Sequence, residues 1–189
     1  LATSGSLNFQ NAIKLLNERG KAMQAAVPLG TGGMVAVLGA EIKEINNLLE
    51  ENQNNYKCYI ANDNSNGQIV LSGLNNDIDK FIETLKEKKI KNIKLPVSAP
   101  FHCTLMNKAT SIMSNKIKNT NFEKPKNAII SNVTGEETQE IEKIKDLLIK
   151  QIESPVRWRE SVIYMIENGV TNFIEIGPGK VLSGLVKRI

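Results

Sequence analysis

His102 is the only histidine of the 189 residues and sits in the segment VSAPFHCTLM, residues 97–106. Imidazole is the side chain whose ordinary pKa lets it take and return a proton near neutrality, so this position is the first candidate for acid–base chemistry. A lone histidine also serves as a packing or surface residue, and spacing alone leaves both readings open. The second candidate is Arg19. It lies on a stretch, residues 8–27, where Phe9, Ala12, Ile13, Leu16, Met23 and Val27 recur at helical spacing. At 100° per residue the apolar stripe centres near Phe9 and Leu16, and Arg19 falls about 65° from that centre, on the shoulder of the expected buried face. A guanidinium there either covers apolar surface with its stem or grips a carboxylate with two hydrogen bonds. The helix pattern alone favours the first of these.

Other chemistry is poorly represented. Cys58 and Cys103 are far apart and form neither a CxxC pair nor a metal-ligand spacing. No metal is expected, and reduced thiols fit a reducing compartment. The net charge of +4 is small and spread, and its densest run, Lys86, Lys88, Lys89, Lys91 and Lys94, surrounds an expected helix end where cations favour the dipole. Aromatic residues make up only 5% and do not alternate with basic ones, so a nucleic-acid stacking surface is not expected. No apolar run approaches the roughly 20 residues that cross a bilayer, and the opening residues are not expected to be a charged, apolar, small-residue leader. The expected location is the cytoplasm, without membrane association. The chain begins at Leu1, in a stretch that reads as the continuation of something longer, so a fragment or processed product is expected.

Elements that would position these residues follow from periodicity and turn chemistry. Asn8 is placed to cap the first helix and Leu7 to staple it, and Pro28 and Gly30 end it. Residues 33–39 (GMVAVLG) read as a strand and 41–51 as a helix. Residues 56–61 and 68–72 read as strands joined by a turn over Asn62 to Gly67, 76–89 as a helix and 91–97 as a strand. This βαββαβ order is that of a ferredoxin-like unit, which by itself assigns no activity. After His102 come a helix marked by Leu105, Ala109, Ile112, Met113 and Ile117, and a short strand at 128–133 with a turn at Thr134 and Gly135. Helices follow at 139–152 and from Trp158 to Gly169, then a buried strand at Phe173 to Ile176 and a final short helix. The flanks read as part of a larger α/β layer structure into which the small unit is inserted. The expected division is 1–30 and 97–189 in the large subdomain and 31–96 in the small one.

Four segments in order carry a resemblance: LLNERGKAMQAAVPLGTGGMVAVLGA (15–40), PVSAPFHCTLM (96–106), QIESPVRWRESVIYM (151–165) and EIGPGKVLSGLVKRI (175–189). Together they closely resemble the malonyl-CoA:acyl carrier protein transacylases of fatty-acid synthesis. The resemblance implies an α/β-hydrolase-like core with an inserted ferredoxin-like subdomain. It also implies ping-pong transfer of a malonyl group from malonyl-CoA to acyl carrier protein through a serine ester. It makes His102 the general base, with the main-chain carbonyl of Gln151 as its orienting partner. Arg19 becomes the ligand of the malonyl carboxylate, which reverses the preference drawn from the helix pattern.

The resemblance further places Phe101, Met23, Met34, Asn62 and Asn64 at the substrate, with bulky Phe101 excluding an α-methyl branch. It gives Lys187 and Arg188 a part in docking the acidic carrier protein. Core packing for the methionines, a plain turn for Asn62, Asp63 and Asn64, and a solvated helix end for the two basic residues are the competing readings. No cofactor is implied beyond the two substrates, malonyl-CoA and phosphopantetheinylated acyl carrier protein.

The chain departs from this pattern in one respect. The family's serine lies in a glycine-flanked elbow, GHSLGE, roughly two dozen residues before the arginine, which would place it ahead of Leu1. Ser4 and Ser6 lack the G-x-S-x-G pattern, and the glycine-rich loop that donates to the oxyanion is also expected upstream. The 189 residues alone are therefore expected to be inactive, with the elbow supplied by a preceding segment or by a separate chain in preference to the third explanation, a degenerate remnant. A non-catalytic carrier-binding module and an acyltransferase of polyketide assembly are the alternative functions.

Overall fold

The computed structural model describes all 189 residues. α1 (Phe9–Gln24) begins where the Asn8 side chain accepts the main-chain N–H of Asn11 at 2.8 Å, satisfying one of the donors every helix start leaves free. Leu7, just before the cap, is buried in a cluster against which Ala12 packs. Then follow β1 (Gly32–Leu38), α2 (Ile42–Glu51), β2 (Cys58–Ser65), β3 (Gln68–Leu74), α3 (Asn75–Glu87) and β4 (Lys91–Leu95). The remainder comprises α4 (Asn107–Lys118), β5 (Ile129–Ile130), β6 (Glu137–Thr138), α5 (Ile141–Lys150), β7 (Val156–Arg157), α6 (Trp158–Glu167) and α7 (Val181–Val186).

The central sheet has the order β4-β1-β3-β2-β7. Its first four strands each run antiparallel to their neighbours, and β7 is parallel to β2. β1 is buried along six consecutive residues, because both faces of the sheet are covered. On one face Val35, Val37, Ile69 and Leu71 meet Ile45 of α2 and Ile78, Phe81 and Leu85 of α3. On the other, Met34, Ala36, Ala61 and Val70 pack with Leu95, Val97 and Phe101. A second core joins α1, α4 and α5 through Ala22, Met23, Met113, Ile117, Ile144 and Ile152. Phe101 touches both this core and the far face of the sheet, so the residue before His102 is pinned at the seam between them.

Three expectations are corrected. Asn62, Asp63 and Asn64 are not a turn: they lie within β2, which continues to Ser65, and the reversal occurs at Asn66 and Gly67. Two register shifts, between Ile60 and Asn62 and between Asp63 and Ser65, absorb these weakly strand-forming residues. Phe173 to Ile176 forms no strand, and Ile174 and Ile176 are 85% and 87% exposed, because no neighbouring strand pairs with them. Finally, the α1 stripe centred on Phe9 and Leu16 is exposed. α1 turns Ala22 and Met23 into the core and leaves Phe9, Ile13 and Leu16 outward. Amphipathic spacing located the stripe but not the element that would cover it.

Candidate active site

The segment carrying His102 is set by close packing upstream and a sharp turn at the residue itself. A Cβ at Gly32, the first residue of β1, would overlap the Pro100 ring, so glycine lets the chain leading to His102 lie directly on the strand. Buried Cys103 donates its thiol to the Pro100 carbonyl at 3.1 Å, closing the loop beneath the histidine. His102 has φ +59°, in the left-handed region that non-glycine residues seldom occupy. Such local strain persists where surrounding structure over-determines it, and it marks functional positions.

The His102 Nδ1 lies 3.0 Å from the main-chain oxygen of Gln151. Gln151 is the C-cap of α5, where carbonyls have no intrahelical donor to accept, and its own side chain donates to the Ser154 carbonyl at 3.0 Å, bracing the turn. A carbonyl oxygen only accepts, so Nδ1 carries the proton. The neutral ring then has its lone pair on Nε2. Burial pushes the His102 pKa below the ordinary histidine value, the Gln151 carbonyl opposes that shift, and the nearby Arg19 charge adds to it. The shift favours the neutral ring, whose Nε2 is then free to accept a proton.

Arg19 lines the same cavity as His102 and Gln151. It is about 600 Å³ in volume, with Leu16, Met113 and Asn132 among its other walls. Burial lowers the Arg19 pKa, and no carboxylate of the chain acts on it in the opposite sense. A half-buried guanidinium without an anion is a receptor for one, since desolvating the charge is costly until a partner arrives.

The other residues singled out from sequence lie elsewhere. Phe101 is half-buried beside His102 in sequence, and Met23 and Met34 are buried in separate cores. Asn62 sits opposite Val70 on β2, and Asn64 follows at the second register shift. None of these five lines the cavity. Lys187 caps α7, and Arg188 donates to the Gln68 side chain at 3.0 Å on the surface. Ser4 and Ser6 are buried and do not line the cavity, and the Ser4 hydroxyl donates to the Leu1 carbonyl at 2.9 Å.

Two features escaped the sequence reading. Asn132 reaches the cavity from the turn after β5, where no motif marks it. Asp63 and Arg159 form a bidentate ion pair across 96 positions, and only the fold brings them together.

Comparison with known proteins extends this geometry. The acyl transferase domain family matches residues 1–188. The malonyl CoA-acyl carrier protein transacylases of Haemophilus influenzae and Bacillus subtilis are 39% and 40% identical over the whole chain, which covers 61% and 60% of their lengths. Among solved structures, the malonyl CoA-acyl carrier protein transacylase of Clostridium perfringens superposes with a TM-score of 0.96 at 43% identity. The match covers 100% of this chain and 60% of that one. A malonyl-transacylase in complex with a type II PKS acyl-carrier protein gives 0.95 at 36% identity, covering 100% and 61%. The chain thus spans about three-fifths of the length of the relatives it matches. With a mixed α/β fold built on a central sheet, it belongs to the acyl transferase domain family.

Proposed function

We propose that the protein of which these residues form part transfers the malonyl group of malonyl-CoA to the pantetheine thiol of an acyl carrier protein. One observation carries the reading: an imidazole whose Nδ1 is committed to a peptide oxygen shares a cavity with an arginine that has no anion of its own. His102 Nε2 removes the proton of a serine hydroxyl as its oxygen attacks the thioester carbonyl. The carbon–sulfur bond then breaks, and the CoA thiolate takes that proton from the imidazolium. In the second half the carrier thiol gives its proton to Nε2 and its sulfur attacks the serine ester. The serine oxygen leaves and recovers the proton. The serine lies outside these 189 residues. The Gln151 carbonyl at the negative end of α5 favours the imidazolium while it exists.

Arg19 holds the free carboxylate of the malonyl group, and Phe101 excludes an α-methyl branch. Met23, Met34, Asn62 and Asn64 do not line the cavity, and only the family resemblance supports a place for them around the substrate. The exposed Lys187 and Arg188 dock the acidic carrier. In architecture we read residues 31–96 as a ferredoxin-like subdomain, supported by the β1α2β2β3α3β4 order and its antiparallel sheet. Residues 1–30 and 97–189 form part of an α/β-hydrolase-like core. Two free cysteines fit a cytoplasmic location.

The test uses the complete gene product with labelled malonyl-CoA. A serine-linked malonyl adduct that a holo carrier protein discharges is expected, and no adduct in a folded, complete protein would overturn the reading. The polyketide alternative draws on the solved malonyl-transacylase bound to a type II PKS carrier. Comparing discharge by fatty-acid and polyketide carriers separates the two.

A further inference from the structure

The ion pair between Asp63 and Arg159 touches none of the reacting groups proposed above, yet it is buried and closely built. Asp63 is 3% exposed, and Arg159 meets both its carboxylate oxygens at 2.7–3.1 Å through Nε and a terminal nitrogen. The contact raises the Arg159 pKa, as a fork-on-carboxylate geometry does. It joins β2 of the sheet to the first turn of α6. Between them lies β7, only two residues long, paired with β2 at Asn62↔Val156 and Asp63↔Arg157. A two-residue parallel ladder is a weak attachment. The same aspartate thus holds the segment twice, through its backbone and through its side chain.

That segment leads straight back to the histidine. Gln151, whose oxygen faces His102, lies five positions before Val156, across the turn braced by the Gln151 side chain and Ser154. One end of residues 151–157 is anchored by α5, through the Gln151 N–H on the Leu147 carbonyl, and the other by β7. The Arg157 N–H also donates to Asn132, a cavity residue, at 3.0 Å. Two residues after His102, the Thr104 hydroxyl donates to Tyr59 of the same strand at 2.8 Å. β2 therefore holds the chain two residues after His102 and again five residues after Gln151.

We infer that Asp63 and Arg159 are positioning residues that clamp the 151–157 segment onto β2 and so hold the Gln151 carbonyl in register with His102. The turnover readout rests on the proposed malonyl transfer, while a spectroscopic one stands apart from it. In the complete protein, Asp63→Asn, Arg159→Gln and the double variant are compared with wild type. The His102 ring N–H resonance is assigned by its loss in His102→Gln. Each single variant is expected to lower kcat about tenfold with KM for malonyl-CoA held within about twofold, because a small misplacement of a catalytic group costs rate more than binding. The ring N–H should exchange with solvent about tenfold faster in each, and the double variant should be no worse than either single.

Arg159→Lys keeps the charge, loses the fork and should lie between wild type and Arg159→Gln. It also serves if the neutral variants do not fold. Folded variants with wild-type exchange and kcat, or single losses that add in the double variant, overturn the clamp. Absence of malonyl transfer in wild type overturns the proposed function instead, leaving the exchange measurement to judge the clamp.

Discussion

His102 owes its character to three influences: the Gln151 oxygen that fixes its tautomer, the burial that favours its neutral form, and the nearby Arg19 charge. His102→Ala should lower transfer in the complete protein by about 10²–10⁴-fold, the range for removing a positioned base. The check is steady-state rate with folding verified by circular dichroism. Arg19→Ala should selectively weaken malonyl-CoA, leaving acetyl-CoA transfer equal or improved, as competition between the two thioesters would report. The depressed His102 pKa gives the sign of two pH effects. As a base, the ring stays active to a pH below the ordinary histidine value of about 6.5, so the acidic limb of kcat/KM should fall below that value. For stability, the unfolded chain binds the proton at higher pH than the folded one. The contribution is therefore present above about 6.5 and is lost as pH falls through the lower folded value, a loss that His102→Gln should reduce in denaturant titrations. Sequence singled out His102 and Arg19 by residue type, and resemblance supplied the roles proposed for them. It held no sign of the φ of +59° at His102.

Most elements were legible because they combine strong periodicity with explicit ends: Asn8 before α1, Gly39 after β1, Pro155 after the turn at Gln151. The failures share a cause. The Asn62 to Asn64 run carries turn composition, but strands on both sides impose extension on it. Phe173 to Ile176 has strand composition, yet a strand exists only with a partner, and none pairs there. The contact between β1 and the His102 loop is testable through Gly32. Gly32→Ala drives a methyl into the Pro100 ring, and overpacking of this kind costs about 1–3 kcal/mol. Urea denaturation should show that loss, accompanied by reduced turnover, because the displaced ring is two residues from His102. An unchanged midpoint would mean that the loop yields freely.

Across the whole chain, two cores share one seam, and the candidate site lies along it: Phe101 belongs to both, and β2 reaches over through Tyr59 and Asp63. The change from helix to strand spacing near Gly30 was readable from periodicity, whereas the seam was not, since its contacts join residues 45 to 96 positions apart. Apolar side chains remain outward at Phe9, Leu16, Ile174, Ile176 and Val181. The 189-residue polypeptide on its own should therefore bind a hydrophobic dye, and Ile174→Asn with Ile176→Asn should weaken that signal without lowering the melting temperature. No helix is long and apolar enough to cross a membrane. The most direct test of the account is the 15N spectrum of the His102 ring in the complete protein at neutral pH. A neutral imidazole protonated on Nδ1, with Nε2 bare and ready to accept a proton, is the predicted result. A ring protonated on Nε2 alone, or an imidazolium, would contradict it.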